Sequence, residues 1–558
     1  MVRFYILILA ILILWLLSCA RITAPSGGPI DKVPPKIVYV KPPMYSTRFN
    51  NKKIEIKFNE YIVLKNLTKN LLISPPNMEK PKIKLSGKKI FIVLPDSLQD
   101  NTTYIIDFGN AIADFTEGNI LRNFKYVFST GPEVDSLVLR GKVYDAFSHE
   151  PEKNMLVGLY YSLSDSVPYH HKPQYITRTD EQGNFEFTNL KDTVYYVFAL
   201  ADKNNNYIYD LPTEKIGFYN MKLRPYLLSN SNDTTKDTVI VDSVKAVEIP
   251  TFYEYKNKKF YIKKFYRKTP WKLAVLFNDK MDSIPVVKPL DNIKYATEIS
   301  KYNDTLQIWL LDTTKMKNDT ILFTISYYDN HNWQDDTLSF VMNTNKYKKK
   351  PVKILMSDKL PISPITNTIR LRINEPVNEI DTTKVLFYYT EDTLKRYVNY
   401  SIEKKFKNFD ISFKKNTDVK YHLILDSAAI YSIYGNVNDS SAFNFAVRNE
   451  DDYGNLIVEW QWASSPSQIV VQLMDDKMKN VLRKNVVMAE DTSTVFNHLL
   501  SGKYAIRIIY DSNMNGKWDG GDLLLKEMPE KVLIKKDIKI KQGWDNIISL
   551  KLGSDAKR

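Results

Sequence analysis

The sequence predicts an all-β protein, a tandem array of small β-sandwich domains behind a short apolar leader. Tyrosine (36 residues) and phenylalanine (26 residues) are abundant, and aromatic residues favour strands. Short strand-like runs recur about every ten residues, without a helical period between them. Two long segments also recur later in the chain. A chain of 558 residues is expected to form about three to five such domains.

Residues 1–18 have the features of an export signal, and residue 19 is the only cysteine. Arg3 precedes an apolar run at residues 4–17, which is shorter than the ~20 residues of a membrane-spanning helix. The run ends in Leu16-Leu17-Ser18-Cys19, which resembles the lipobox of bacterial lipoproteins. The resemblance implies a cleaved signal and a triacylated, palmitate-bearing Cys19, which would be a stable membrane anchor. The alternative is a thiol at the end of an uncleaved signal.

Residues 19–34 are rich in Pro, Gly and Ser, which predicts a tether between the lipid and the first domain. In many Gram-negative bacteria an aspartate after the lipidated cysteine retains the protein at the inner membrane. Ala20 stands there instead, so the resemblance implies a lipid anchor in the outer membrane. Surface lipoproteins of Bacteroidetes often carry acidic residues next, whereas residues 20–23 have none. The periplasmic face is therefore favoured, with the cell surface as the alternative.

The formal net charge is +14, with a pI near 9.2. Such a balance favours acidic partners such as anionic lipid or lipopolysaccharide, or it reflects only a lysine-rich solvated surface. Nucleic acid is not expected as a partner of an exported lipoprotein.

Residues 35–131 are predicted to form the first sandwich. Residues 54–58 alternate between apolar and polar, and residues 90–94 form a continuous apolar run of strand length. The segments Phe58-Asn59-Glu60, Ser74-Pro75-Pro76 and Phe128-Ser129-Thr130 resemble the bacterial Ig-like domain of S-layer and other surface proteins. The resemblance implies an Ig-like sandwich.

Residues 137–250 are predicted to form a second domain. The stretch at residues 179–190 has the pattern TDxxGxFxFxxL, and apolar strands lie on both sides of it. The pattern resembles the carboxypeptidase regulatory-like, or transthyretin-like, sandwich. The resemblance implies a hairpin at this stretch and a carrier or spacer module without catalytic activity.

An internal repeat defines the rest of the chain. Phe187, Leu190 and Tyr195 recur as Phe496, Leu499 and Tyr504 at a constant offset, and residues 54–60 resemble residues 369–375. The repeat predicts a second Ig-like domain at 352–447 and a second transthyretin-like domain at 453–552. Residues 251–348 are predicted to form a divergent Ig-like sandwich between the two pairs.

The repeated segment contains candidate calcium loops. Oxygen-bearing side chains stand at positions 1, 3, 5, 9 and 12 of the second copy, with Gly516 at position 6, which is the spacing of a calcium loop. The candidates are Asp511, Asn513, Asn515, Asp519 and Asp522, and in the first copy Asp202, Asn204, Asn206 and Asp210. The first copy lacks the glycine and has Thr213 at position 12, with Glu214 next. Calcium would be structural; the alternative is a metal-free Asx-turn loop.

No catalytic signature is present: GxSxG, HExxH and P-loop motifs are absent, and the cysteine is assigned to lipid. The sequence therefore predicts a non-enzymatic outer-membrane lipoprotein, a multi-domain β arm that binds or scaffolds an envelope protein partner. Assembly or secretion of outer-membrane proteins is one such role. The alternative is a glycan-binding envelope module, for which Trp333, Trp460, Trp462 and Trp518 are candidates. Trp460 and Trp462 share one strand face, which suits a binding platform or a core.

Overall fold

The structure is a computed structural model. It describes residues 31–553 except 77–78, 97, 162–166, 212, 228–246, 255–258, 282, 315–316, 318, 330–331, 357–367, 418 and 463–467. The predicted signal and Cys19 lie outside the described residues. No helix in the described part is long and apolar enough to cross a membrane. The chain divides into two compact units, Met1–Asp145 with Glu150–Thr251, and Ala146–His149 with Phe252–Arg558.

The first domain of the first unit is built from three small antiparallel sheets. Its strands are β1 (Ile37–Lys41), β2 (Lys53–Phe58), β3 (Ile62–Leu64), β4 (Leu72–Ser74), β5 (Lys82–Ser86), β6 (Lys89–Val93), β7 (Thr103–Asp107), β8 (Ile112–Asp114), β9 (Ile120–Leu121) and β10 (Lys125–Ser129). The strand orders are β1-β2-β6-β5, β10-β7-β4 and β3-β8-β9. Helix α1 (Leu67–Asn70) precedes β4. The core lies between the sheets, where Phe58, Tyr104 and Phe128 are fully buried.

The second domain is one mixed sheet of seven strands. The strands are β11 (Leu137–Asp145), β12 (Leu156–Tyr160), β13 (Tyr175–Arg178), β14 (Asn184–Leu190), β15 (Tyr196–Leu200), β16 (Ile216–Phe218) and β17 (Val247–Phe252), with helix α2 (Val167–His170) before β13. Their order is β13-β12-β15-β16-β17-β11-β14, with β11 parallel to β17. The implied hairpin is wrong, because β13 and β14 are opposite edge strands. β17 also continues past the predicted boundary at 250.

In the second unit, the strands between residues 262 and 341 form two sheets. These strands are β18 (Ile262–Thr269), β19 (Lys272–Phe277), β20 (Val286–Pro289), β21 (Tyr295–Ile299), β22 (Thr305–Leu310), β23 (Thr320–Tyr328) and β24 (Trp333–Val341). The orders are β18-β19-β22-β21 and β20-β23-β24. This third domain encloses an aromatic-rich core that includes Trp271, Phe277 and Trp309.

The fourth domain repeats the strand order of the first. Its strands are β25 (Ile354–Met356), β26 (Thr368–Ile373), β27 (Val377–Ile380), β28 (Val385–Glu391), β29 (Leu394–Tyr397), β30 (Tyr400–Lys404), β31 (Asn408–Phe413), β32 (Lys420–Leu425), β33 (Ile430–Ser432) and β34 (Ser441–Ala446). The orders β25-β26-β31-β30, β29-β28-β32-β34 and β27-β33 correspond to those of the first domain, except that β29 is an added edge strand and β9 has no counterpart among the described strands. Short 3₁₀ helices occupy Thr344–Lys346, Thr382–Lys384 and Glu450–Asp452.

The fifth domain repeats the strand order of the second, except that its seven strands form two sheets. Its strands are β35 (Tyr453–Trp462), β36 (Gln468–Asp475), β37 (Val481–Met488), β38 (Ser493–Leu500), β39 (Gly502–Tyr510), β40 (Val532–Ile540) and β41 (Asp545–Leu552). The order is β37-β36-β39-β40 in one sheet and β38-β35-β41 in the other, with β35 parallel to β41. The described residues are thus nearly all in β-sandwich modules, which confirms the predicted fold class.

One asparagine contact is common to the first, third and fourth domains. Each asparagine directly follows a core strand, and its Oδ1 accepts a backbone N–H from the segment at the domain's entry. The pairs are Asn59 with Lys36 at 2.6 Å, Asn278 with Tyr261 at 2.9 Å, and Asn374 with Lys353 at 2.7 Å. The side-chain oxygen takes the place of a backbone carbonyl as the acceptor for the entry segment. The contact therefore fixes where the chain enters each sandwich.

Candidate functional sites

The second candidate calcium loop begins where β39 ends. Asp511 is fully buried, and its carboxylate accepts backbone N–H bonds from Asn515 at 3.1 Å and Gly516 at 2.7 Å. Gln468 on β36 donates to the same carboxylate at 2.5 Å. Gly516 has a φ of +73°, which lets the chain curl around Asp511. The residue at position 1 therefore organises the whole loop.

The structure brings together four of the five predicted residues of this loop. The Nδ2 atoms of Asn513 and Asn515 donate to Asp519 at 2.7 and 2.6 Å. Asp511 joins the same group of contacts, because its carboxylate accepts the backbone N–H of Asn515. The result is a turn lined by two carboxylates and two side-chain amides.

The first loop has the same bonds at the predicted offset. Asp202 accepts from the N–H groups of Asn206 and Tyr207 at 3.2 and 3.1 Å, while the side chains of Asn204 and Asn206 donate to Asp210 at 3.0 and 2.6 Å. Tyr207 occupies the glycine position with a φ of +65°. The backbone therefore takes the left-handed turn even where a large side chain makes it costly.

Position 12 is where the loops depart from the calcium pattern. Asp522 accepts a hydrogen bond from Leu525 at 3.0 Å, in a separate turn that pairs with Glu527. Glu530 closes the loop instead, since it accepts from the N–H groups of Ser512 and Asp519 at 2.7 and 3.1 Å.

Glu214 closes the first loop as Glu530 closes the second. Its carboxylate accepts from the N–H groups of Lys203 and Leu211 at 2.8 and 3.3 Å. Burial raises the pKa of Glu214 despite these bonds. In the sequence, Glu214 stands one residue after position 12 of the first loop. Sequence reasoning missed Glu530, which lies well beyond position 12 of the second loop.

The side chains that the loops bring together are oxygen donors, the type of ligand that hard cations prefer. The described residues contain no group of three or more His, Cys, Asp or Glu side chains placed to hold a metal. Each loop offers two carboxylates and two amide oxygens, and calcium takes six to eight oxygen ligands in general. A cation here would replace the amide-to-carboxylate bonds at Asp519 or Asp210.

The four tryptophans proposed for glycan binding lie in different settings. Trp460 is 6% exposed and donates to Thr494 at 2.9 Å, and Trp462 packs against the same core. Trp518 donates to the carbonyl of Glu530 at 2.9 Å and packs on the outer face of its domain. Only Trp333, which is 59% exposed, has the accessibility of a platform residue.

Sequence reasoning missed an aromatic row on the fourth domain. Tyr397, Tyr388, His422 and Asn444 are successive cross-strand partners on β29, β28, β32 and β34. The rings of Tyr388 and His422 stack with centroids 4.9 Å apart and an interplanar angle of 21°. His422 is fixed by a 2.6 Å bond between its Nδ1 and Asn444 Oδ1, and Tyr397 is 70% exposed. The row thus combines an exposed Tyr397 with a stacked Tyr388–His422 pair, and polar groups lie at one end.

A cleft of about 220 Å³ lies in the first unit beside α1. Its described lining is mostly apolar, with Leu71, Ile73 and Ile83 at its wall and Thr68, Lys80, Lys172 and Tyr207 as the polar residues. No carboxylate or histidine is among these described lining residues, so the cleft offers no acid–base pair.

Comparison with known proteins identifies the first domain. A family model described as "Bacterial Ig-like domain" matches residues 31–130. The first domain is therefore similar to this family over residues 31–130. This confirms the resemblance noted in residues 35–131, and the strand order of the fourth domain repeats that of this Ig-like domain.

Solved structures show distant likenesses over 75–90% of this chain. BcpA, the major pilin subunit of Bacillus cereus, is 10% identical, with 75% of this chain and 99% of that chain covered and a TM-score of 0.14. The S-layer protein SbsC is 11% identical, with 90% and 67% covered and a TM-score of 0.13. The RrgB pilus protein of Streptococcus pneumoniae is 8% identical, with 75% and 69% covered and a TM-score of 0.16. No curated protein matches the sequence.

Proposed function

We propose that the protein is a non-enzymatic outer-membrane lipoprotein, anchored through Cys19, whose sandwich domains form a scaffold for an envelope protein partner. The observation that supports this most is that neighbouring domains share their cores. In the first unit, Ile105 and Val127 of the Ig-like domain are buried in the core cluster of the second domain. A shared core holds two domains at a fixed angle, as a scaffold requires.

The second unit contains a junction of the same kind. Tyr434, from the fourth domain, belongs to the core of the third. Its ring stacks on Trp271 with centroids 4.5 Å apart, and its hydroxyl donates to the carbonyl of Leu310 at 3.0 Å. Burial raises the pKa of the Tyr434 hydroxyl. Domains joined in this way present their surfaces to a partner in a fixed arrangement.

The anchor and the partner are tested in one experiment. Wild-type protein and Cys19→Ser are expressed in cells labelled with palmitate, and outer membranes are solubilised and purified through a C-terminal tag. We expect label in the wild type alone, and a stoichiometric envelope protein that copurifies with it. An unlabelled wild type contradicts the anchor, and purification without any stoichiometric protein contradicts the scaffold.

We also infer that the two loops bind calcium as a structural ion, with Asp511, Asn513, Asn515 and Asp519 as ligands in the second loop. Calcium bound to the folded state alone stabilises it by about 2.7 kcal/mol at a hundredfold excess over Kd. Thermal unfolding with millimolar calcium or chelator is compared in wild type, Asp519→Ala, Asp210→Ala and the double variant. The expected calcium-dependent rise in Tm shrinks in each single variant and disappears in the double. An unshifted wild-type Tm means metal-free Asx-turn loops.

The aromatic row supports glycan binding as a second candidate function. Flat rings on a sheet face suit the apolar faces of sugars, and His422, Asn444 and Lys395 supply polar groups at the row. Retention in polysaccharide-containing gels is expected to fall in Tyr388→Ala and Tyr397→Ala. Tyr302→Ala, which changes a tyrosine that is 73% exposed in the third domain, is the matched control. Equal mobility of all variants with and without polysaccharide contradicts this function.

A further inference from the structure

A cluster of cations surrounds Trp309 where the third and fourth domains meet. Lys272 on β19 is the cross-strand partner of Trp309, and its ammonium lies 4.5 Å from the centroid of the indole ring. Lys407 of the fourth domain reaches the same ring at 4.6 Å. Arg372 on β26 lies at the edge of this group, which therefore draws its charges from both domains.

One carboxylate, that of Glu298, faces these cations. Lys407 lies 2.7 Å from Oε2 and Arg372 lies 2.7 Å from Oε1, while the indole N–H of Trp309 donates to Oε2 at 3.2 Å. Burial opposes ionisation of Glu298, but these bonds hold its pKa below the ordinary value. Each oxygen of the Glu298 carboxylate therefore already has a cationic partner.

Lys272 is the cation of this cluster without a direct salt bridge, although the charge of Glu298 acts on it from nearby. It makes no ion pair and no side-chain hydrogen bond to any residue in the described part of the chain. Burial and the neighbouring charges of Lys407 and Lys268 lower the pKa of Lys272 to about 8. The face of an indole compensates an ammonium by only about 0.5–2 kcal/mol. The cluster thus holds an excess of about two positive charges over its single carboxylate.

We propose that the cluster at Lys272, Arg372 and Lys407 binds a phosphate group. A phosphate carries up to two negative charges, which match the excess, and its oxygens accept hydrogen bonds from both lysine and arginine. Lys272 contacts the phosphate directly, and Arg372, whose side chain is 53% exposed, contacts it from the solvent side. Because the cluster spans two domains, the bound phosphate also stabilises their junction.

Binding is measured by calorimetry with inorganic phosphate, against chloride at the same ionic strength. The proteins are wild type, Lys272→Met, which keeps an apolar side chain over Trp309, and Lys301→Met, which removes an exposed lysine from the same domain. We expect at least a tenfold weaker Kd in Lys272→Met and an unchanged Kd in Lys301→Met. Equal affinities in all three proteins, or no heat beyond that of chloride in the wild type, overturn the proposal.

The source of the phosphate is distinguished with vesicles. Cys19→Ser, which cannot be acylated, is sedimented with phosphatidylcholine vesicles with and without phosphatidylglycerol, alone and combined with Lys272→Met. Cosedimentation that requires both phosphatidylglycerol and Lys272 identifies a lipid headgroup. Phosphate binding without cosedimentation identifies a free or glycan-borne phosphate, and both results support the site. Neither result depends on the protein partner or the lipid anchor.

Discussion

The same two domains occur twice in this chain, but the corresponding sheet face is buried in the first pair and open in the second. Tyr104 and Tyr421 establish the correspondence, because each hydroxyl accepts an N–H bond from the loop before its strand, from Gln99 and Asn416 respectively, at 2.7 and 2.6 Å. The next residue on each strand points outward. It is Ile105, 8% exposed, in the first domain and His422 in the fourth.

The neighbouring outward residues differ in the same way. Val127 is 1% exposed in the first domain, whereas Asn444 is exposed at the corresponding place in the fourth. Ser74 donates to and accepts from the backbone of Ile176 in the next domain, and Tyr388 stands at the position of Ser74. The same sheet face therefore forms a domain junction in the first domain, where its outward residues are aliphatic or small. In the fourth domain, where they are aromatic or polar, it stays open.

The largest expected effect is a charge placed on the buried face. Ile105→Asp buries an unpaired carboxylate between two domains and is expected to destabilise the first unit by about 3–5 kcal/mol. His422→Asp, the matched change on the open face, is expected to cost less than about 1 kcal/mol. Both are measured by urea unfolding. Similar losses at the two positions would show that the fourth domain's face is covered as well.

The next effect concerns the junction of the third and fourth domains. Tyr434→Ala removes a buried ring and its bond to Leu310, and a loss of about 3–4 kcal/mol is expected. Glu117 stands at the corresponding place in the first domain and is exposed, so Glu117→Ala should leave stability within about 0.5 kcal/mol. Hydrogen exchange of β22 provides the local readout. Unchanged protection there in Tyr434→Ala would mean that the third domain is stable without the contact.

A smaller effect depends on pH. Since the pKa of Lys272 falls from 10.5 when unfolded to about 8 when folded, the unfolded chain binds more protons between these values. The charged lysine therefore costs stability below pH 8, and the cost disappears as the pH approaches 10.5. In phosphate-free buffer, Lys272→Met should gain up to about 2 kcal/mol at pH 7 and nothing at pH 10.5. A gain that is independent of pH would assign the effect to packing.

The fold class and the loop residues could be predicted because both are local in sequence. Alternating apolar residues and turn residues define each strand, and the side chains of Asp511, Asn513, Asn515 and Asp519 meet because their spacing curls one turn. The residue that closes the second loop was not predictable in the same way. Glu530 reaches the loop from beyond a second turn, so its role depends on how the intervening residues fold.

The aromatic row and the Trp309 cluster could not be predicted, because both depend on strand register and domain contact. Tyr388 and His422 become neighbours only when β28 pairs with β32, and Lys407 meets Trp309 only when two domains pack. The alternation of residues along a strand does not by itself say which face of the strand packs into the core. The same ambiguity applied to Trp460, which the structure places in the core.

The smallest expected effect tests whether both loops keep the left-handed turn in solution. A Cβ at Gly516 would meet no atom within 4 Å, so Gly516→Ala should cost only the backbone strain of about 1 kcal/mol. Tyr207 has a φ of +65°, so Tyr207→Ala should be less stable than Tyr207→Gly by the same backbone strain. Both differences are measured as shifts in Tm at fixed calcium. A glycine-to-alanine difference near 1 kcal/mol at position 516 but near zero at 207 would mean that only the second loop keeps this turn.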